Sequence, residues 1–215
     1  MNHLVITGGG GGLGQALATA FHSPLWQLAA PGRNQLDVTD GDAIGSYFRG
    51  RAVDLLVCAA GLIRDAPLAR LTESGWDEVI AVNFTGAQAC AGAVLPGMLA
   101  RGGGHVVFVS SFSARHPPPG QAAYATAKAA LLGLTQHLAA RHGGHGIRVN
   151  AVLPGFLATP MTQAVAAPRR AEILAGHSLG RFNTPAAVAG FIRHLHEQLP
   201  HTSGQIFQLD SRSAT

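Results

Sequence analysis

The sequence predicts an α/β fold in which one parallel sheet is covered by helices on both faces. Short, wholly apolar runs indicate buried parallel strands, and helical stretches separate most of them. The length of 215 residues is that of one ordinary α/β domain, long enough to bury a full core. We therefore expect a single domain over residues 1–215.

The elements can be assigned in order along the chain. Residues 4–7 form the first apolar run, and a glycine tract follows directly. The next apolar residues recur at the spacing of a helix's buried face: Leu13, Ala16, Leu17, Ala20 and Phe21. Further strands are predicted at 26–30, 55–59, 106–110, 148–153 and 205–209, and further helices at 73–82, 85–101, 122–142, 168–176 and 186–198. This alternation predicts a Rossmann-like, doubly wound parallel sheet.

The region after the second strand is shortened. Leu36-Asp37-Val38 follows that strand after only a few residues, whereas a parallel crossover normally needs a dozen or more. A helix is therefore missing there, and we expect the third strand to be a stub at residues 36–38.

Composition narrows the class of protein. Hydrophobic residues make up 47% of the chain and charged residues 12%, which is not the composition of a disordered protein. Apolar runs shorter than a membrane span and the absence of a signal peptide predict a cytoplasmic protein with no membrane partner. The net charge of +4 comes from scattered arginines, so we expect no nucleic acid partner. Cys58 and Cys90 are expected to be free buried thiols, and we expect no metal site.

The glycine tract is the first feature that indicates a ligand. In Thr7-Gly8-Gly9-Gly10-Gly11-Gly12-Leu13-Gly14, backbone amides can approach a pyrophosphate closely, and the following helix presents its positive N-terminal end. A merely flexible loop is the alternative. The position between a strand and a helix favours nucleotide binding.

Tyr124 and Lys128 form the second such feature. Four residues apart on a predicted helix, they share a face, so the ammonium can lie near the phenol and favour its ionised form. That would bring a pKa of about 10 closer to neutrality, where a phenol exchanges protons efficiently. Ser111 ends a predicted strand at its carboxyl edge and could hydrogen-bond a substrate oxygen.

Together these motifs resemble the short-chain dehydrogenase/reductase family over nearly the whole chain. The family's glycine turn corresponds to Thr7, Gly8, Gly12 and Gly14, and its Tyr-x-x-x-Lys pair to Tyr124 and Lys128. Ser111 matches the family's serine, and Asn83 in Val-Asn-Phe-Thr-Gly matches its asparagine. Residues 148–155 are a further hallmark. Gly-Gln-Ala-Ala-Tyr at 120–124 is most similar to 3-oxoacyl-carrier-protein reductases.

The resemblance implies a nicotinamide-dependent reduction of a ketone to a secondary alcohol. Tyr124 would protonate the carbonyl oxygen while Ser111 holds it. Lys128 would bind the nicotinamide ribose and lower the pKa of Tyr124, and Asn83 would hold a water in the proton relay. The expected cofactor-binding residues are Thr7, Gly8, Gly12, Leu13, Gly14, Arg33, Asp37, Val38, Ala60, Gly61, Tyr124, Lys128, Pro154, Gly155, Leu157 and Thr159.

Arg33 decides the expected cofactor. An acidic residue at the end of the second strand would accept hydrogen bonds from the ribose of NAD, but the sequence there is Ala30-Pro31-Gly32-Arg33. A guanidinium suits the 2′-phosphate, so we favour NADP(H) over NAD(H). The alternative is that Arg33 is one more solvated arginine.

The substrate and the assembly are less constrained by the sequence. Phe112, Arg115, Phe156 and Met161 are the expected substrate-binding residues, with Leu62, Arg64 and His116 also near the pocket. A small-molecule or carrier-bound carbonyl compound is expected, either a 3-oxoacyl thioester or a polyketide-type substrate. Residues 159–180 are the expected lid. By resemblance the chain forms a homodimer or homotetramer through the helices at 85–101 and 122–142.

The sequence departs from the family pattern in two places, and two other functions are alternatives. The usual Asn-Asn-Ala-Gly turn is Cys58-Ala59-Ala60-Gly61, which loses bracing side chains, and Asp210-Ser211-Arg212 replaces a more usual Asp-Gly-Gly. Gly176-His177-Ser178-Leu179-Gly180 spells a hydrolase nucleophile elbow, but that motif requires a strand before it and a helix after it. A cofactor-binding regulatory or scaffold protein without turnover is the other alternative.

Overall fold

The computed structural model describes residues 1–212 and contains the predicted parallel sheet. Its strands are β1 Asn2–Thr7, β2 Trp26–Ala29, β3 Leu55–Cys58, β4 Gly104–Val109, β5 Ile147–Leu153 and β6 Ile206–Gln208. They lie in the order β2-β1-β3-β4-β5-β6, and every neighbouring pair is parallel. The six predicted strands are confirmed, with their ends shifted by one or two residues.

The described chain contains seven helices, and those with residues in the core cover the two faces of the sheet. They are α1 Gly12–Ala20, α2 Gly41–Phe48, α3 Glu73–Ile80, α4 Gly86–Arg101, α5 Ala122–His142, α6 Ala167–Ala175 and α7 Pro185–Gln198. Because side chains alternate along a strand, Leu4 and Ile6 pack with α1 and α7 on one face, while Val5 packs with α2, α4 and α5 on the other. The doubly wound architecture follows from this two-sided burial.

The segment after β2 corrects one prediction. Residues 36–38 lie in a loop that leads into a turn and are not a stub of strand. The Asp37 carboxylate accepts hydrogen bonds from the amide and the hydroxyl of Thr39. Helix α2 follows at once, capped by Asp40, whose side chain accepts from the amides of Asp42 and Ala43. Because no strand forms at residues 36–38, nothing in the described chain pairs with the outer side of β2, and β2 is the edge strand of the described sheet.

Helix α2 was missed from the sequence because its apolar pattern is short. Ile44 and Phe48 are its buried residues, spaced i and i+4 in a segment of eight residues that also contains two glycines. This is too brief a repeat to distinguish a helix from a turn.

Helices α3 and α4 are joined into one continuous helical stretch by a π turn at Ala81–Thr85. This stretch, Glu73–Arg101, is long and apolar enough to cross a membrane by length and composition, with a hydropathy of 1.4. Here it packs on the sheet through Cys90, Ala91 and Met98, which are buried in the core. The π turn contains Asn83, and π turns inside helices are frequent at functional sites.

A pair of histidines, the buried His105 and the partly buried His196, lies at the amino-terminal ends of β4 and β5. The amide of Asn150 donates to Nε2 of His105, so Nδ1 of His105 carries the proton and donates to Nδ1 of His196 at 3.2 Å. Burial lowers the pKa of His196 to about 4, and Arg148 acts in the same direction. The pair is therefore neutral at pH 7.

The low pKa of His196 predicts that the folded protein loses stability in acid. The folded-state pKa of His196 lies below its ordinary value of 6.5, so its contribution is complete above pH 6.5 and is lost as the pH falls to about 4. The loss amounts to about 3 kcal/mol of unfolding free energy. Urea unfolding at pH 7, 5.5 and 4.5 should show a weaker pH dependence for His196→Gln than for wild type. The exposed His194→Gln is the control, and an unchanged slope in His196→Gln would contradict the assignment.

Candidate active site

The four predicted catalytic residues surround the carboxyl edge of the sheet. Tyr124 and Lys128 lie in the first turns of α5, Ser111 follows β4, and Asn83 lies in the π turn. The ammonium of Lys128 donates to the carbonyl of Val109 at 2.9 Å and lies 5.7 Å from the centre of the Tyr124 ring. The helical spacing of Tyr124 and Lys128 therefore places both groups beside the end of β4, as the sequence predicted.

Asn83 is held in place by the backbone around it. Its Nδ2 donates to the carbonyls of Leu62 and Val79, at 2.7 and 2.9 Å, and its Oδ1 accepts from the Leu62 amide. A methyl group built on Gly61 would lie 3.2 Å from Asn83 Oδ1 and 3.8 Å from Lys128 Nζ. Asn83 and Lys128 thus border the same glycine, which connects them across the predicted site.

The pKa of Tyr124 is shifted in the direction opposite to the prediction. Burial raises the pKa of Tyr124 to about 12, while the neighbouring Ser111 hydroxyl acts in the opposite direction. Burial also lowers the pKa of Lys128 to about 8. The expected lowering of the Tyr124 pKa by Lys128 is therefore wrong for the chain by itself, because desolvation of the phenolate outweighs the other influences. Tyr124 is a neutral phenol at pH 7.

The glycine tract forms a cradle in which Gly8, Gly9 and Gly12 leave no space for side chains. Gly8 has a left-handed φ of 72°, and a methyl group on it would lie 2.7 Å from the backbone of Ala60. One on Gly9 would overlap the carbonyl of Ala30, and one on Gly12 would lie 2.9 Å from Thr159. In the described chain no side chain caps α1, so its first amides remain available to an anion. The cradle fits a dinucleotide pyrophosphate.

Thr7 compensates for the missing asparagines of the Cys58-Ala59-Ala60-Gly61 turn. Its hydroxyl accepts hydrogen bonds from the amides of Ala59 and Ala60 at 3.2 and 3.3 Å, which ties β1 to the end of β3. Cys58 and Cys90 are buried free thiols, as predicted. The turn that carries Ala60 and Gly61 is therefore braced from the neighbouring strand.

The expected adenosine end is formed by the loop after β2. The amide of Gly9 donates to the carbonyl of Pro31, which places Gly32 against Gly10. Arg33, the next residue, has a side chain that is 73% exposed, and its Nε donates to Asp37 at 3.2 Å. Val38 packs against Gly86, the first residue of α4. Arg33 thus directly follows the glycine that lies against Gly10, and its Nε is the atom that pairs with Asp37.

The loop after β5 closes the other side of the cradle. Leu157 is buried and forms a β-bridge with Asn183, whose Nδ2 donates to the carbonyls of Pro154 and Leu209. Gly155 has a φ of 84°, so a side chain would be strained there. Together with Thr159 above Gly12, these contacts position the predicted cofactor segment over the glycine tract.

The predicted substrate-binding residues separate into two groups. Phe112 directly follows Ser111 and stacks with His116, and Met161 is 49% exposed with its methyl group near Gly61. Phe156, by contrast, is buried and packs on Phe182. Arg115 is exposed. Phe112 and Met161 are thus the members of the set nearest to the catalytic residues, and Phe156 supports the lid.

Sequence reasoning did not predict that the C-terminal segment contacts Phe112 and the lid. The guanidinium of Arg212 lies 3.7 Å above the ring of Phe112, and its Nε donates to Asp210 at 2.6 Å. His177 of the lid approaches the same carboxylate at 3.5 Å. The only available signal was the replacement of the usual Asp-Gly-Gly by Asp210-Ser211-Arg212.

The hydrolase alternative is wrong. Gly176-His177-Ser178-Leu179-Gly180 follows helix α6 and continues as a turn, where a nucleophile elbow requires a strand and then a helix. The hydroxyl of Ser178 donates to the carbonyl of Ser211. The serine therefore fastens the lid to the C-terminal segment.

Known reductases and dehydrogenases are similar to this chain in sequence. A family model described as enoyl-(acyl carrier protein) reductase matches residues 12–211. The chain is 40% identical to the 3-oxoacyl-[acyl-carrier-protein] reductase FabG of Thermotoga maritima, over 81% of this chain and 74% of that protein. It is 32% identical to the (3R)-3-hydroxyacyl-CoA dehydrogenase of Mus musculus, over 89% of this chain and 87% of that protein.

A solved structure is similar over almost the full length. It is described as an NAD(P)-dependent gluconate 5-dehydrogenase from Beutenbergia cavernae with bound NADP. The TM-score is 0.93 at 30% sequence identity, and the match covers 98% of this chain and 95% of that one.

Proposed function

Because this chain belongs to the short-chain dehydrogenase/reductase family and is an NAD(P)-dependent oxidoreductase by its relatives, we propose that it reduces a ketone to a secondary alcohol with NADP(H). The observation that carries the proposal is the placement of the Tyr124 phenol beside the Ser111 hydroxyl and the Lys128 ammonium at the carboxyl edge of the sheet. A protonated phenol is the form needed to donate a proton to a carbonyl oxygen.

Each residue has a distinct part in the proposed reaction. Ser111 holds the substrate oxygen, and Tyr124 gives it a proton as it becomes an alcohol oxygen. The bound nicotinamide supplies the hydride. Lys128 is fixed by Val109, so its ammonium can meet the ribose hydroxyls, and Asn83 keeps the turn at Leu62 in place and can hold a water of the proton relay.

The finer proposal for the substrate is a 3-oxoacyl thioester, supported by the names of the relatives. The half-exposed Met161 and the ring of Phe112 offer apolar contacts for an acyl chain. The test is NADPH oxidation with 3-oxobutanoyl thioesters of coenzyme A and of acyl carrier protein. Turnover supports the proposal. Tight NADPH binding without turnover of any ketone would indicate a regulatory or scaffold role. A protein that does not bind NADPH at all would contradict the proposed oxidoreductase activity.

The cofactor preference gives a separate prediction. The terminal amino groups of Arg33 can bind the 2′-phosphate, so Arg33→Leu should raise the KM for NADPH by about tenfold and leave the KM for NADH unchanged, given the modest strength of an exposed charged hydrogen bond. The exposed Arg49→Leu is the control. Equal changes for both cofactors would show that Arg33 is simply a solvated arginine.

The same proposal extends to the assembly and the cellular location. Helices α4 and α5 carry small, half-buried residues such as Ala89, Ala93 and Leu134, which supports a homodimer or homotetramer formed through these helices. Sedimentation at two protein concentrations tests the oligomeric state. We also place the protein in the cytoplasm, where NADPH and acyl thioesters are available.

A further inference from the structure

The C-terminal segment is fixed across the end of the lid. Residues His177 and Arg212 form an antiparallel bridge. The amide and hydroxyl of Ser178 donate to the carbonyl of Ser211, and the amide of Leu179 donates to the hydroxyl of Ser211. The segment that departs from the family pattern is therefore an ordered wall of the substrate side.

This wall holds the guanidinium of Arg212 in one orientation. Its Nε donates to Asp210, whose side chain is fully buried and also accepts from the Nε2 of Gln208 at 2.9 Å. Asp210 packs against Gly155, where a methyl group would lie 2.5 Å from its Cβ. The ring of Phe112 supports the flat face of the guanidinium at 3.7 Å. The group is thus arranged before any ligand binds.

The terminal amino groups of Arg212 have no hydrogen-bond partner among the described residues. A guanidinium has five N–H groups, and among residues 1–212 only the Nε of Arg212 has a partner. The terminal amino groups are not among the buried unpartnered atoms of the described chain, so they reach solvent although the side chain is only 15% exposed. They lie beside Phe112, the residue after Ser111.

Asp210 is the acidic side chain that contacts the guanidinium of Arg212 among the described residues. The Nε2 of His177 lies 3.5 Å from the same carboxylate. The Nδ1 of His177 lies 2.8 Å from the carbonyl of Ile173 and therefore carries a proton. The Nε2 of His177 is buried without a hydrogen-bond partner. The terminal amino groups of Arg212 thus remain as donors for an acceptor outside the described residues.

We propose that Arg212 binds a free carboxylate of the substrate, so that the preferred compound is an oxo acid whose ketone lies at Ser111 and Tyr124. The inference rests on the proposed carbonyl reduction, and among the ketones that this site would reduce it makes a free acid a better substrate than the corresponding ester or thioester. A paired, weakly solvated guanidinium fork binds a carboxylate bidentately, whereas a neutral ester or thioester offers it a weaker acceptor. Arg212 is then a specificity-determining residue.

Matched substrates test this assignment. NADPH oxidation would be measured with 3-oxobutanoate and 4-oxopentanoate, each against its ethyl ester, and with 3-oxobutanoyl-coenzyme A. For at least one chain length we expect wild type to favour the acid about tenfold or more in kcat/KM. Arg212→Met should lose the acid rate by about tenfold to hundredfold and keep the ester rate within about threefold. Arg181→Met, at an exposed arginine of the neighbouring turn, should behave as wild type.

Binding distinguishes this proposal from the proposed function. Titration of the same acids and esters into the NADP⁺ complex of Tyr124→Phe should show acid binding that Arg212→Met abolishes when added to it. Equal binding of acid and ester overturns the carboxylate site, as does an equal loss of both rates in Arg212→Met with an unchanged unfolding midpoint. Preferential acid binding without turnover by wild type would overturn carbonyl reduction and leave the carboxylate site standing.

Discussion

Replacement of Tyr124 by phenylalanine is expected to lower kcat for ketone reduction by about a thousandfold, within the range of general acid catalysis. Tyr124 is a neutral phenol beside Ser111 and Lys128, and phenylalanine keeps the ring while removing its only proton donor. The KM for NADPH should change little because the glycine cradle is untouched. Stopped-flow and steady-state NADPH oxidation measure the effect.

The other tyrosine of the chain is the matched control. Tyr47 lies on α2, with the guanidinium of Arg51 at 4.5 Å from its ring centre, in a different part of the fold from the catalytic residues. Tyr47→Phe should therefore retain wild-type kcat. A rate in Tyr124→Phe within a factor of ten of wild type would show that another group delivers the proton.

Gly9→Ala is expected to lower the unfolding free energy by about 3 kcal/mol, at the upper end of the cost of overpacking. A methyl group at Gly9 would overlap the backbone carbonyl of Ala30, which cannot move without shifting β2 relative to β1. The same shift would displace Arg33 and widen the glycine cradle, so NADPH affinity should also fall. Urea unfolding without cofactor measures the first effect, and NADPH fluorescence titration measures the second.

The adjacent glycine provides the control for this prediction. A methyl group at Gly10 would have no described atom within 4 Å, and its φ is not in the left-handed region. Gly10→Ala should therefore leave the unfolding free energy within about 0.5 kcal/mol of wild type. Equal stability of the two variants would mean that the loop after β2 can give way, and the tract would then be a flexible loop.

The sequence was sufficient for features encoded by neighbouring residues. Alternation of apolar runs and helical repeats predicted six strands, and Tyr124 and Lys128 could be placed together because four residues make about one helical turn. The glycine tract was recognisable from its position between β1 and α1. Helix α2 was not predicted because its apolar repeat spans too few residues to establish a period.

Other features arise only when distant segments meet. The pKa of Tyr124 depends on how much water the whole site excludes, and desolvation reversed the direction predicted from Lys128 alone. The side chain of Asn83 donates to the backbone of Leu62, which is 21 residues away in the sequence. The contact of Phe156 with Phe182 likewise joins two segments that the sequence pattern does not connect.

By itself, then, the sequence determined the doubly wound sheet and the glycine turn between β1 and α1, and it predicted the candidate catalytic residues, because periodicity and short motifs are local properties of the chain. Tertiary structure alone decided the protonation of Tyr124, the edge position of β2 and the placement of Arg212 over Phe112. These depend on desolvation and on packing between segments far apart in sequence, which a linear pattern does not record.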